Sequence, residues 1–280
     1  MATFSEWNGV HWNGVSSPEN FGGPCIKDMD DGTGRAIYGT APVTIGPGQR
    51  VRVMRWDGHE FETLGGEFIR ANGQAHIWSL SMFSPSPTQP PHLFAAGEFS
   101  SVDGVAASNI AEWDGNAWAA IGSGVNGPIN SLEVFDDGSG PALYVAGDFT
   151  VAGGILANSI ARWDGSSWST LANGFDGGSD PGSNRTVHEL AVFDDGAGGG
   201  PALYAIGAFE VVNGIDSCQI ARWGRFAPPQ PGDATGDCLV NVNDLLAVIT
   251  NWSASGSQGD LNHDGVVDVN DLLLVVLNWG

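Results

Sequence analysis

Ile129-Asn130-Ser131-Leu132-Glu133-Val134-Phe135 turns at Asp136-Asp137-Gly138-Ser139-Gly140 and continues Pro141-Ala142-Leu143-Tyr144-Val145-Ala146-Gly147-Asp148-Phe149. After Ala157-Asn158 the stretch resumes as Ser159-Ile160-Ala161-Arg162-Trp163-Asp164-Gly165 and then Ser167-Trp168-Ser169-Thr170-Leu171. Each piece is a short apolar or alternating run bounded by Gly, Asp, Asn or Pro, which predicts a strand. Asp-Gly marks the first hairpin because both residues tolerate positive φ. Four strands in a repeat of roughly fifty residues is the content of one propeller blade.

The unit recurs along the first 226 residues. Its first turn returns as Asp30-Asp31-Gly32-Thr33-Gly34 and Asp194-Asp195-Gly196-Ala197-Gly198, while the second unit has Ser84-Pro85-Ser86-Pro87-Thr88-Gln89-Pro90-Pro91 instead. These Asp pairs lack further spaced oxygens, so they read as turn chemistry rather than ion sites. A Trp-(Asp/Asn)-Gly turn keeps register at Trp56, Trp113 and Trp163, each followed by an aromatic: Phe61, Trp118, Trp168. Packing between blades is the expected job of these aromatics, ahead of stacking on sugars. Trp223 marks a fourth unit ending at Phe226, and Trp7-Asn8-Gly9 with Trp12 fits the pattern ahead of the first. The amino terminus is therefore expected to supply outer strands to the last unit, closing a ring without a free sheet edge. Four units make a small ring; a fragment of a larger propeller is equally compatible.

Composition narrows the function classes. The 32 acidic and 10 basic residues of this 280-residue chain give a formal charge of −22, unfavourable for nucleic acid or anionic lipid. Three cysteines are too few for a disulfide scaffold. Cys25 and Cys218 are the pair considered for one bridge, leaving Cys238 odd. The start Met1-Ala2-Thr3-Phe4-Ser5-Glu6 shows no secretory leader, and a start truncated upstream stays open. The apolar run at 272–277 is too short to cross a bilayer.

No catalytic constellation is legible. The six histidines are scattered, and no nucleophile elbow is present. Gly122-Ser123-Gly124-Val125-Asn126-Gly127 matches a dinucleotide fingerprint in letters only, since Pro128 and a strand follow where a helix is needed. Glu98 and Asp148 occupy equivalent positions after a repeated Gly, but Ala208 fills the slot in the fourth unit, which favours a loop role. Carboxylates paired only in space, as glycoside hydrolysis needs, are invisible at this level.

Past the Pro-rich stretch 227–232, residues 233–280 change character. Asp260-Leu261-Asn262-His263-Asp264-Gly265-Val266-Val267-Asp268-Val269-Asn270-Asp271 places side-chain oxygens at positions one, three, five, nine and twelve and glycine at six, which suits a hard cation taking six to eight oxygens. Asp260, Asn262, Asp264, the Val266 carbonyl and Asp271 are the expected ligands, with Asp268 direct or through water. An earlier copy at 233–244 offers Asp233, Thr235, Asp237, the Leu239 carbonyl, Asn241 and Asp244, with Cys238 at six, where loss of glycine should cost about 1 kcal/mol. Two Ca²⁺ ions are expected. Each loop runs into an apolar stretch predicted as a helix, with Leu245, Val248, Ile249 and Trp252 on one face and Leu272, Val275, Val276 and Trp279 on the other helix's matching face. So small a module needs an added constraint, and a cation bound only by the folded form supplies one.

This loop–helix, loop–helix order with no entering helix resembles a type I dockerin over Gly232 to Gly280. The Leu-Tyr-Val-Ala-Gly-Asp-Phe and Asn-Ser-Ile-Ala-Arg-Trp-Asp-Gly runs resemble kelch-like propellers of the galactose-oxidase superfamily over about 220 residues. The dockerin resemblance implies a secreted or cell-surface protein that docks to a cohesin-like or other scaffold partner through positions ten and eleven of each loop, here Val242-Asn243 and Val269-Asn270. The pair is the same in both halves, which implies that either half can face the partner. The Ser-Thr pair frequent in that family is absent, as are basic residues along the helices. The expected architecture is mainly β: a propeller of four-stranded blades or a fragment of one at 1–226, the linker 227–232, and a small α calcium module at 233–280. The expected function is non-catalytic extracellular binding and anchoring. The alternative is a dockerin-tethered enzyme acting on polysaccharide, with a glycan as its partner.

Overall fold

Consecutive sheets bury each other face to face, and the strands show why. In a computed structural model that describes all residues except 1, 8–9, 18–20, 22, 45–48, 87, 172–173, 177–185, 195–199, 213–214, 218, 225–233, 235–241, 255–258, 263–265 and 278–280, the chain is mainly β. The first repeat sets Ile26–Asp30, Arg35–Thr44, Gln49–Trp56 and Phe61–Thr63 side by side as an antiparallel meander. The second does so with His76–Phe83, His92–Glu98, Ile110–Trp113 and Trp118–Ala120, and the third with Ile129–Asp136, Pro141–Gly147, Ile160–Trp163 and Trp168–Thr170. Along strand His92–Glu98 the side chains alternate between two cores. Leu93 and Ala95 join Tyr38, Val53 and Phe68 of the first repeat, whereas Phe94 and Ala96 join Leu132, Leu143 and Val145 of the third. A strand buried on both faces reads as a continuous apolar run, which is what Leu93-Phe94-Ala95-Ala96 is.

The fourth repeat contributes a three-stranded sheet of Thr186–Phe193, Ala202–Ala208 and Ile220–Trp223. The amino-terminal strands Ala2–Trp7 and Trp12–Ser17 pair with each other, from Ala2↔Ser17 to Trp7↔Trp12, and among the described residues form a two-stranded sheet of their own. The expected completion of the fourth sheet by these strands is therefore not what the described residues display. Small hairpins at Ser101–Val102 with Val105–Ala106, and at Val151–Ala152 with Ile155–Leu156, sit between the second and third strands of their repeats. By contact the chain divides into two compact units: Met1–Val192 with Tyr204–Arg222, and Phe193–Leu203 with Trp223–Gly280. The Pro-rich stretch 227–232 lies outside the described residues.

The recurring Trp residues pack across adjacent strands. Trp56↔Phe61, Trp113↔Trp118 and Trp163↔Trp168 are cross-strand partners with ring centroids 6.0, 5.4 and 5.3 Å apart. Trp118 also reaches back to the preceding repeat, donating Nε1–H to the Leu64 carbonyl at 2.7 Å, and its ring meets Phe68 edge-on. The Asp of each turn caps the backbone; Asp114 Oδ1 accepts from the Asn116 and Ala117 N–H groups at 2.8 Å each. The dinucleotide-like glycines have packing reasons as well. A Cβ on Gly124, at φ +71°, would stand 2.5 Å from the Ser108 carbonyl, and one on Gly127 would stand 2.1 Å from that of Asp148. Glu98 forms an ion pair with Arg70.

The innermost strands are tied by one repeated link. Leu132 N–H donates to Ser79 Oγ at 3.0 Å and Leu190 N–H to Ser131 Oγ at 3.1 Å. Cys25 takes the corresponding place immediately before strand Ile26–Asp30, where the Leu80 backbone N–H meets its sulfur. Cys25 is a buried free thiol whose pKa burial pushes up; Cys218, considered with it for a bridge, lies outside the described residues.

The Asp-Asp-Gly turns are hydrogen-bonded as turns. Asp30 Oδ1 accepts from the Gly32 and Gly34 N–H groups and Asp136 Oδ1 from those of Gly138 and Gly140. Asp31 and Asp137 each bind the backbone and hydroxyl of the next polar residue, Thr33 or Ser139. Burial alone would raise both carboxyls, but these hydrogen bonds outweigh it and hold them below their ordinary values. A depressed folded-state pKa contributes stability that is complete above the unfolded value of about 4 and is lost as pH falls through the folded value. Melting temperature should therefore fall below about pH 4, and D31N/D137N should flatten that dependence; an unchanged acid limb in the double variant would refute the assignment.

Candidate calcium module

Helices α1 (Val242–Thr250) and α2 (Val269–Leu277) have equal length and follow the two oxygen-rich loops at the same offset. The second loop builds its helix start from its own carboxylates. Asp268 is the N-cap of α2, accepting the Asn270 N–H at 2.7 Å, and Asp271 Oδ2 reaches back to the Asp268 N–H at 2.8 Å. This reciprocal pair is a capping box. Asp271 Oδ1 meanwhile accepts from Leu261 N–H at 2.7 Å and Asn262 N–H at 3.1 Å, closing the loop onto the first helical turn. Burial works to raise the Asp271 pKa, yet these donors hold it below the usual carboxylate range, so the buried group is charged.

Asp271 and its counterpart Asp244 are both fully buried. From Phe226 to Gly280 the sequence has seven Asp and neither Lys nor Arg. Backbone donors offset part of the cost of burying such charge, and a hard cation is the partner that an all-oxygen, predominantly anionic donor set lacks. The residues present thus fit calcium chemically. Among the expected ligands, Asp260 and Asp268 are half-buried and Asn262 and Val266 exposed, with Asp271 beneath them. Asp233, Thr235, Asp237, Leu239, Asn241 and Asp264 lie outside the described residues. Among the described residues no three His, Cys, Asp or Glu side chains are grouped closely enough to hold a metal ion.

The core of the module is small: Ala234, Val248, Val267 and Val275, with Leu245, Ala247, Leu261 and Leu272 packed against it. Val267 exchanges backbone hydrogen bonds with the turn after α1, donating to the Ala254 carbonyl at 3.0 Å and accepting from Ser253 N–H at 2.9 Å. Of the residues expected to share one face of each helix, Ile249, Trp252 and Val276 are about half exposed, and Trp279 lies outside the described residues. The buried stripe runs Asp244, Leu245, Val248 and Asp271, Leu272, Val275, one turn nearer the loop, because the carboxylate itself is drawn inside.

That shift leaves a second apolar stripe in solvent. Val242, Leu246 and Ile249 follow the i, i+4, i+7 rule on α1, and Val269, Leu273 and Val276 do so on α2; all six are 48–62% exposed. The signal was present in the apolar composition of both helix faces, since a helix apolar all round cannot hide both sides in so thin a core. The expected partner-reading residues Val242 and Val269 head these stripes, each followed by an exposed Asn, Asn243 or Asn270.

No protein-family model matches the chain, and neither a curated protein nor a solved structure matches it. No helix among the described residues is long and apolar enough to cross a membrane.

Proposed function

We propose that this is a non-catalytic extracellular or cell-surface binding protein whose carboxy-terminal module folds around two calcium ions and docks to a cohesin-like scaffold partner. The observation that carries the reading is the pair of equivalent exposed apolar stripes on α1 and α2, each anchored beside a buried carboxylate in a module without Lys or Arg. Soluble domains seldom leave contiguous apolar surface without use. The first ion would be held by Asp233, Thr235, Asp237, Leu239, Asn241 and Asp244, and the second by Asp260, Asn262, Asp264, Val266, Asp268 and Asp271. Bound calcium supplies the positive charge that the buried carboxylates lack.

In the same reading the four β units close into a propeller that displays a binding surface. Support comes from the repeated inner-strand link: Cys25, Ser79 and Ser131 each meet the next repeat's backbone, and Glu189 holds the corresponding place in the fourth. Calcium added to the chelated chain should bind with a stoichiometry of two by calorimetry. Amide exchange at 242–250 and 269–277 should then slow at least about tenfold. Absence of both heat and protection would overturn the calcium reading.

A further inference from the structure

The second repeat departs from the first and third at one linked set of residues, and a cavity lies there. In the first repeat a turn and two side chains interlock. Tyr38 donates its hydroxyl to Asp31 Oδ2 at 2.7 Å, while Arg55 donates Nε–H to the Tyr38 oxygen and Nη2–H to Thr33 Oγ1, each at 3.1 Å. The third repeat keeps the same residue types at Asp137, Ser139, Tyr144 and Arg162, but only part of the linkage: Arg162 Nη2 donates to Ser139 Oγ at 3.0 Å and to the Gly140 carbonyl at 3.1 Å, while the Tyr144 hydroxyl and Arg162 Nε are buried without a hydrogen-bond partner. In the second repeat all members are gone together. The prolyl segment 84–91 replaces the turn, Phe94 stands where the tyrosine stands, and Glu112 replaces the arginine and pairs with His92, Nδ1 to Oε1 at 2.5 Å. A residue set kept whole or lost whole serves the fold where it is kept. Where it is lost, the local rule has been relaxed, and such departures tend to mark function.

At that departure a cavity of about 360 Å³ opens between the first and second repeats. One wall is polar, with Thr33, Arg55 and Glu62; the other offers Pro91, His92 and the indole of Trp113. We propose that it binds one neutral pyranose unit of a glycan. The volume lies in the range of small-ligand sites. A planar guanidinium and a carboxylate side by side match vicinal hydroxyls, while proline and indole surfaces suit the C–H face of a sugar ring. Arg55 is fixed by Tyr38, Thr33 and Asp31, which lies 3.2 Å away, and His92 is fixed by Glu112, so the polar groups are in place before a ligand arrives. The Arg55 guanidinium already has Asp31 beside it, and Glu62 and Asp114 add further carboxylates to the lining, which disfavours an anionic ligand. This inference does not depend on the calcium module.

The test is calorimetry and saturation-transfer NMR on the full chain with methyl glycosides of glucose, galactose, mannose and xylose, with galacturonate and glucosamine as charged comparisons. At least one neutral glycoside should bind with Kd below about 10 mM. R55Q should weaken it at least about tenfold, whereas R162Q, at the equivalent position of a repeat with its turn intact, should leave Kd unchanged. Loss of melting temperature common to both variants separates folding from binding. No neutral binding, preference for either charged sugar, or equal effects of the two variants would each overturn the assignment.

Discussion

Asp271→Ala is expected to unfold the carboxy-terminal module of the calcium-free chain while leaving the β repeats intact. The carboxylate receives three backbone N–H groups, those of Leu261, Asn262 and Asp268. Truncation leaves all three part-buried donors without their acceptor, at about 1–3 kcal/mol each at most. A core of four fully buried small residues has no comparable reserve. Asp268→Ala removes only an N-cap and should cost about 1 kcal/mol. The two variants therefore separate a loop pin from an ordinary cap. Amide exchange reads the outcome region by region: in D271A the amides of 242–250 and 269–277 should exchange at unfolded-chain rates, while those of 143–147 keep their protection. If D271A and D268A exchange alike, the pin is not what holds the module.

The same residue shows how far the sequence reaches. Position nine and position twelve of an ion loop form an Asp-x-x-Asp spacing, and so does a capping box. The oxygens that would grip an ion are those that start α2, and one line of letters encodes both uses. The β repeats were more legible. Strand runs and Trp-Asp-Gly turns are local, so Trp113↔Trp118 and Trp163↔Trp168 follow from hairpin geometry alone. The hairpins at 101–106 and 151–156 were missed because two-residue strands have no period to detect. Nor could local reading find the Asp31–Tyr38–Arg55 interlock, whose members come from a turn and two strands and meet only when the sheet forms. The covered side of each helix was not legible for a different reason: with apolar residues on both sides, periodicity does not say which side is covered, and the buried Asp244 and Asp271 decide it.

The exposed stripes carry the second large effect. On the docking reading α1 and α2 present equivalent surfaces, Val242, Leu246, Ile249 and Val269, Leu273, Val276, so a partner that accepts one should accept the other after the module is turned about. L246D or L273D alone removes one of two equal modes and should weaken binding by only about twofold, a statistical factor of about 0.4 kcal/mol. The double variant puts a carboxylate at the middle of both stripes, and loss of a central apolar contact costs about 2–4 kcal/mol, so binding should fall by about 30-fold or more. The assay is binding of the calcium-loaded full chain to purified cohesin-type domains, with calcium affinity as the folding control because both leucines lie outside the proposed ligand sets. Full loss in one single variant would mean that only one helix docks. Undiminished binding by the double variant would mean that neither does, and the apolar stripes would then need another occupant.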